Sequence, residues 1–175
     1  NQYFDGEGID LENGSDSCLV EYNYIHNIGG VGILISRSGS EYNLNNFGLL
    51  TYVEDRGSID STTADYNVIR YNVIKNWGKS FNDLKGFAGI DMSAGVRYPI
   101  EQGAGVDTAM GNQIYNNTLI QTTNGVGNVG IALKGHSIGT GIFNNLVVCD
   151  SLALMWADSL AKKRNTFIQN NMFYD

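Results

Sequence analysis

Apolar residues in this chain alternate with polar ones at a spacing of two, in short bursts. Ile9/Leu11, Ile33/Ile35, Ile90/Met92 and Ile131/Leu133 are apolar at i and i+2, which is the spacing of a strand and not the 3.6 period of a helix. Leu19-Val20-Glu21-Tyr22, Tyr24-Ile25-His26 and Asn67-Val68-Ile69-Arg70 are also short, rich in β-branched and aromatic residues, and bounded by Gly, Asn, Asp and Ser. The expectation is strands throughout and no helix.

The bursts come back in a fixed rhythm. An Asn element recurs as Asn45-Asn46-Phe47, Tyr71-Asn72-Val73, Asn116-Asn117-Thr118, Asn144-Asn145-Leu146 and Asn170-Asn171-Met172, and its first copy is Tyr22-Asn23-Tyr24. With the central Asn as marker the positions are 23, 46, 72, 117, 145 and 171, and the steps are 23, 26, 45, 28 and 26. The apolar residue opening the first strand falls at Ile9, Ile33, Ile59, Ile90 and Ile131, and the next Asn marker follows 14, 13, 13, 27 and 14 residues later. Two markers that keep phase except once describe a solenoid with a repeat of about 25 residues. Three short strands per repeat, stacked at ~4.8 Å per turn, make a parallel β-helix. The predicted fold is thus all-β: one domain over 1–175, about six turns, and one long insert in turn four from Ala94 to about Met110. In turn three, Ile59-Asp60 is placed in register with Ile9-Asp10.

Composition narrows the setting. With 42% hydrophobic and 17% charged residues, 22 Gly and one Pro, the chain suits an ordered, turn-rich β protein. A net charge of -7 and a pI near 4.7 argue against nucleic acid or an anionic membrane as partner, and no apolar run reaches the ~18 residues of a membrane span. Cys18 and Cys149, four predicted turns apart, would be separated by ~19 Å along the axis, beyond disulfide reach. They read as small core residues. Neither end of the sequence shows a polar cap of the kind a solenoid needs, which leads us to expect flanking domains of a longer polypeptide.

Candidate chemistry follows from stacking the first strands. One place after the apolar marker the row is Asp10, Leu34, Asp60, Asp91 and Ala132, and three places after it Glu12, Ser36, Thr62, Ser93 and Lys134. Asp60 and Asp91 then stand on adjacent turns, with Lys134 and His136 one turn on and the insert rising beside them. Two carboxylates at ~5 Å repel, so one is kept protonated beside an ionised partner, as a general acid requires. The same pair could hold Ca²⁺, with a Lys or Arg as base for elimination from a uronic acid. Asp60, Asp91, Lys134 and His136 are therefore the candidate catalytic residues, and Asp60 and Asp91 the candidate Ca²⁺ ligands. Asp10, Arg37, Arg97, Tyr98 and Glu101 are candidates for binding substrate, with Tyr98 and Trp156 as stacking platforms for sugars. Acidic residues in an exposed row equally serve to keep a sheet soluble and unpaired at its edge, and Arg37 and Arg97 equally suit solvated positions. The Asn markers read as structural, bonding turn to turn at a corner. Most tyrosines read as packing.

The runs Glu21-Tyr22-Asn23-Tyr24-Ile25-His26-Asn27, Val68-Ile69-Arg70-Tyr71-Asn72-Val73-Ile74-Lys75-Asn76, Ile114-Tyr115-Asn116-Asn117-Thr118 and Asn170-Asn171-Met172-Phe173-Tyr174 resemble right-handed parallel β-helix repeats of the pectate-lyase-like superfamily. They are also similar in flavour to the β-helix domain associated with archaeal disaggregatases, which act on a cell-surface polysaccharide. The resemblance implies right-handedness, a polysaccharide partner and a secreted or cell-surface location. The superfamily spans hydrolases, lyases, epimerases, tailspikes and adhesins, and no catalytic motif carries over residue by residue.

Two functions follow as expectations: cleavage of a polysaccharide in a groove along the first-strand sheet, or a non-catalytic carbohydrate-binding or surface-structural module. Cleavage needs a converging acid and base in a walled cleft. Binding needs a row of exposed aromatics with polar groups among them.

Overall fold

The computed structural model describes residues 6–11, 14–35, 40–44, 50–54, 64–78, 88–92, 109–122, 129–133, 137–150, 152–156 and 163–174. Among them every regular element is a strand. In chain order these are β1 (Ile9–Leu11), β2 (Leu19–Glu21), β3 (Tyr24–His26), β4 (Ile33–Ile35), β5 (Ser40–Leu44), β6 (Leu50–Glu54), β7 (Val68–Arg70), β8 (Val73–Lys75), β9 (Ala88–Met92) and β10 (Ala109–Met110). Then come β11 (Gln113–Tyr115), β12 (Thr118–Ile120), β13 (Val129–Leu133), β14 (Ser137–Ile138), β15 (Gly141–Phe143), β16 (Leu146–Val148), β17 (Leu152–Trp156), β18 (Lys163–Arg164), β19 (Phe167–Gln169) and β20 (Met172–Tyr174).

Three parallel sheets of five strands organise them. Sheet A runs β1-β4-β9-β13-β17, sheet B β2-β7-β11-β15-β19 and sheet C β3-β8-β12-β16-β20. The chain visits A, B and C in the same order on each pass, and every visit pairs parallel with the one before it. This arrangement is compatible with a parallel β-helix. A short parallel sheet, β10-β14-β18, lies between the A and B visits of the last passes, while β5 and β6 pair antiparallel as a separate two-stranded sheet.

The register corrects two expectations. Ile33 pairs directly with Ile90, so the strand beside β9 is β4 and not one carrying Ile59. Likewise β2 and β3 pair directly with β7 and β8, so the step from Asn23 goes to Asn72 and passes over Asn46. Ile59 and Asn46 themselves lie outside the described residues, as do Glu12, Ser36, Thr62, Ser93 and the expected insert from Ala94 up to residue 108.

Inside the stack the core is a column of aliphatic layers. Ile33, Ile35, Ile90, Met92, Ile131 and Leu133 from sheet A meet Val20, Ile69, Ile114 and Ile142 from sheet B and Ile25, Ile74, Leu119 and Val147 from sheet C. Ile168 and Phe173 hold the same places on β19 and β20 but are exposed. Both cysteines are free; Cys149 belongs to the core and Cys18 packs against it.

Where sheet C turns into sheet A, Gly8, Gly32, Gly89 and Gly130 form a column just before the apolar markers. A Cβ on Gly32 would stand 2.2 Å from the Gly89 carbonyl oxygen and 2.7 Å from Ile74, and one on Gly89 would stand 2.6 Å from Leu119. Backbone of adjacent passes approaches too closely there for a side chain.

The corner from B to C is held by a ladder of amides. Asn23, Asn72, Asn117 and Asn145 each donate from backbone N–H and from Nδ2 to the Oδ1 of the next Asn, ending at Asn171, over 2.9–3.1 Å. From Asn72 on, Nδ2 also donates to a core-strand carbonyl of the preceding pass: Asn72 to Val20, Asn117 to Ile69, Asn145 to Ile114 and Asn171 to Ile142, each at 2.9 Å. These bonds satisfy groups that the bend would otherwise leave buried and unpaired.

Candidate functional site

The outward row of sheet A differs from its sequence expectation. It reads Asp10, Leu34, Asp91 and Ala132, so Asp91 stands between Leu34 and Ala132 and has no Asp60 on an adjacent strand of this sheet. Asp10 is exposed, whereas Leu34 and Ala132 are buried and Asp91 is 2% exposed. Strand alternation points a side chain away from the core; it does not say whether that face meets solvent. Asp60, Lys134, His136, Arg37, Arg97, Tyr98 and Glu101 lie outside the described residues, and the side chain of Trp156 is not described. Among the described residues no three His, Cys, Asp or Glu side chains gather as a metal site.

What the described structure does assemble is an aromatic row on the outer surface of sheet B and its corner with sheet C. In-register positions on four successive strands are Glu21, Arg70, Tyr115 and Phe143. Beside them at the corner stand Tyr22 and Tyr71. Tyr22 and Tyr71 stack nearly parallel, 5.3 Å apart; Tyr71 meets Tyr115 edge to face at 6.3 Å; Tyr115 stacks on Phe143 at 4.9 Å. The continuous row spans four passes, or ~14 Å at the strand spacing.

Arg70 ties the row together. Its Nε donates to Glu21 Oε2 at 2.7 Å and its Nη1 to the Tyr115 hydroxyl at 3.0 Å, while the guanidinium lies 5.6 Å from the Tyr71 ring centre and 6.0 Å from that of Tyr115. The Tyr115 hydroxyl and the Glu21 carboxylate raise the Arg70 pKa further above its already high value, so the group is charged at any working pH. On the adjoining sheet C, Tyr24 stacks on His26 at 4.7 Å, and His26 bonds Asn27 at 3.1 Å.

The backbone under the tyrosines is unusual. The outer corner column, one residue before each ladder Asn, is left-handed on every pass: φ is 59° at Tyr22, 55° at Tyr71, 55° at Asn116, 56° at Asn144 and 54° at Asn170. A second left-handed column, before sheet B, runs Ser17, Tyr66, Gly111, Gly139 and Asn165, with φ between 52° and 69°. Left-handed backbone costs an L-residue about 1–2 kcal/mol, and Gly or Asn visits it most easily. Tyr22, Tyr66 and Tyr71 depart from that preference while remaining 74%, 56% and 42% exposed. The sequence pattern reads most of the tyrosines as packing. The signal that could have separated them is that Tyr22 and Tyr71 precede the marker Asn where Asn116, Asn144 and Asn170 stand elsewhere.

Among the described residues no helix is long and apolar enough to cross a membrane. Compared with known proteins, the chain matches no family model, and no curated protein and no solved structure shows significant similarity to it.

Proposed function

We propose that this chain is a right-handed parallel β-helix that binds a polysaccharide, secreted or at a cell surface, through the aromatic row of sheet B and its corner. The observation that carries it is that two exposed tyrosines of this row, Tyr22 and Tyr71, are held in left-handed backbone where Asn stands on the later passes. Strain at an exposed side chain recovers little by burial, and such outliers point to a side chain retained for contact. Tyrosine suits a sugar because an apolar ring and a polar hydroxyl share one rigid side chain. Glu21, Arg70 and Gln113 add polar groups along the same face, and the resemblance to pectate-lyase-like repeats supports the same class of ligand.

The test is affinity gel electrophoresis of the whole chain through a panel of acidic and neutral polysaccharides, with Tyr22→Asn/Tyr71→Asn as the variant. We expect at least one polysaccharide to retard the wild type, and the variant to bind it about tenfold more weakly (~1.4 kcal/mol) with its folding intact. Equal retardation of the two would remove the row as the site.

Cleavage of the polysaccharide is a second proposal, and one observation favours it. Asp91, of a residue type rarely found buried, is 2% exposed on the outer row of sheet A. Asp91→Asn should then abolish the formation of new reducing ends. Absorbance of unsaturated uronate distinguishes a lyase from a hydrolase, and EDTA reports any Ca²⁺ requirement. If the folded variant cleaves at the wild-type rate, Asp91 is not catalytic.

A further inference from the structure

We propose that the glycan accepted on this face is a neutral polysaccharide and not a polyuronate, and that Glu21 imposes the selection by holding Arg70 in an ion pair. This rests on the binding proposal above and refines it.

The starting point is the charge of the face. The outward positions of sheet B are Leu19 and Glu21, Val68 and Arg70, Gln113 and Tyr115, Gly141 and Phe143, and Phe167 and Gln169. Arg70 is the only cation among them and Glu21 the only anion. They stand opposite each other on neighbouring strands and meet at 2.7 Å. A carboxylate on a sugar gains from an arginine when the guanidinium offers its fork to a bidentate partner. Here Nε is given to Glu21 and Nη1 to Tyr115. A uronate reaching Arg70 would have to settle beside the Glu21 carboxylate and be repelled by it, on a chain whose net charge is already -7.

Neutral hydroxyls meet no such conflict. Arg70 has five N–H donors in all and retains donors beyond the two bonds above, while Glu21 retains acceptor capacity, so the pair can both donate to and accept from a sugar alcohol without separating charges. Around it lie rings, and Gln113 leans over Gly141, where a Cβ would stand 2.3 Å from the Gln113 Oε1 and 2.7 Å from the Phe143 ring. The surface is aromatic with uncharged or self-neutralised polar groups. The other Lys and Arg residues on described strands are Lys75, at the end of β8 away from Tyr71, and Lys163 and Arg164 on β18, which belongs to the short sheet.

The experiment compares binding of the whole chain to a neutral glucan or mannan and to polygalacturonate, for the wild type, Glu21→Gln and Glu21→Thr. The wild type should be retarded by a neutral glycan and not by polygalacturonate. Freeing Arg70 should raise the ratio of polygalacturonate to neutral-glycan affinity by about tenfold (~1.4 kcal/mol), and the gain should vanish as salt rises and screens the charge. Glu21→Thr keeps a strand-forming residue and guards against a fold specific to the Gln variant. Wild-type binding to polygalacturonate at equal or higher affinity would overturn the neutral-glycan proposal while leaving the aromatic row as the site. An unchanged affinity ratio in both variants would overturn the role of Glu21. No retardation by any glycan would overturn the binding proposal and this one with it.

Discussion

At the corner between sheets B and C two columns of residues run up the stack side by side, and they behave oppositely. The inner one is Asn at 23, 72, 117, 145 and 171; the outer one, a single residue earlier, is Tyr22, Tyr71, Asn116, Asn144 and Asn170. Backbone conformation is the same on each pass. Asn72, Asn117 and Asn145 are buried, and each amide both donates to and accepts from its neighbours, so hydrogen bonding leaves no freedom of residue type. In the outer column only the left-handed φ constrains the choice. A departure from Asn there costs stability without disrupting the fold, which leaves room for a side chain kept for another purpose.

The largest effect is expected from breaking the inner column. Asn117→Ala removes the acceptor of Asn72 and the donors to Ile69 and Asn145, stranding several buried polar groups at 1–3 kcal/mol each, so a loss of about 3 kcal/mol or more is expected. Urea denaturation should show it as a lower midpoint, with Asn23→Ala, at the less buried end of the ladder, losing nearer to about 1 kcal/mol. Equal losses at the two positions would mean the ladder acts as independent rungs. An intermediate effect is expected in the glycine column, where packing and not hydrogen bonding sets the residue. Gly89→Ala puts a Cβ 2.6 Å from Leu119 and 2.9 Å from the Gly130 carbonyl oxygen, and such overpacking costs about 1–3 kcal/mol.

Much of this was legible in the residues. The strands, the stacking and the structural role of the Asn markers follow from alternation and phase alone. The turn assignment failed at one repeat, and the reason is physical. Three places before each ladder Asn and two after it stand the core residues Val20/Ile25, Ile69/Ile74, Ile114/Leu119 and Ile142/Val147, with the apolar Ile168/Phe173 at the same places on the last pass; around Asn46 those places hold Asn43 and Gly48. A pass with an amide and a glycine at its core positions would leave a hole in the column. Similarly, Gly precedes the markers Ile9, Ile33, Ile90 and Ile131, but Ser58 precedes Ile59, and no Cβ fits in that column between tightly stacked passes. Markers identify a repeat, but core volume decides whether it joins the stack. The burial of Asp91 was not legible, because alternation separates the two faces of a strand and is silent on what covers the outer one. The aromatic row needed both the corrected register and the φ values: only pairing β2 with β7 brings Glu21 and Tyr22 next to Arg70 and Tyr71.

The smallest effect is the most telling for function. Tyr22→Asn relieves a left-handed strain at a residue that is mostly in solvent and should raise stability by about 0.5–1 kcal/mol. Tyr71→Asn should gain less, since beyond the Tyr22–Tyr71 stack that both variants lose it gives up the edge-to-face contact with Tyr115 and the contact with Arg70, interactions of about 0.5–1.5 kcal/mol each that offset the relief. The reverse change, Asn116→Tyr, should lower stability by a similar small amount. Urea midpoints at constant slope report all three. A gain in stability at Tyr22 combined with weaker glycan binding is the trade expected where a strained residue serves a site. If Tyr22→Asn instead destabilises by about 1 kcal/mol or more, ring stacking outweighs the strain, Tyr22 belongs to the fold, and the support it lends to a binding face is withdrawn.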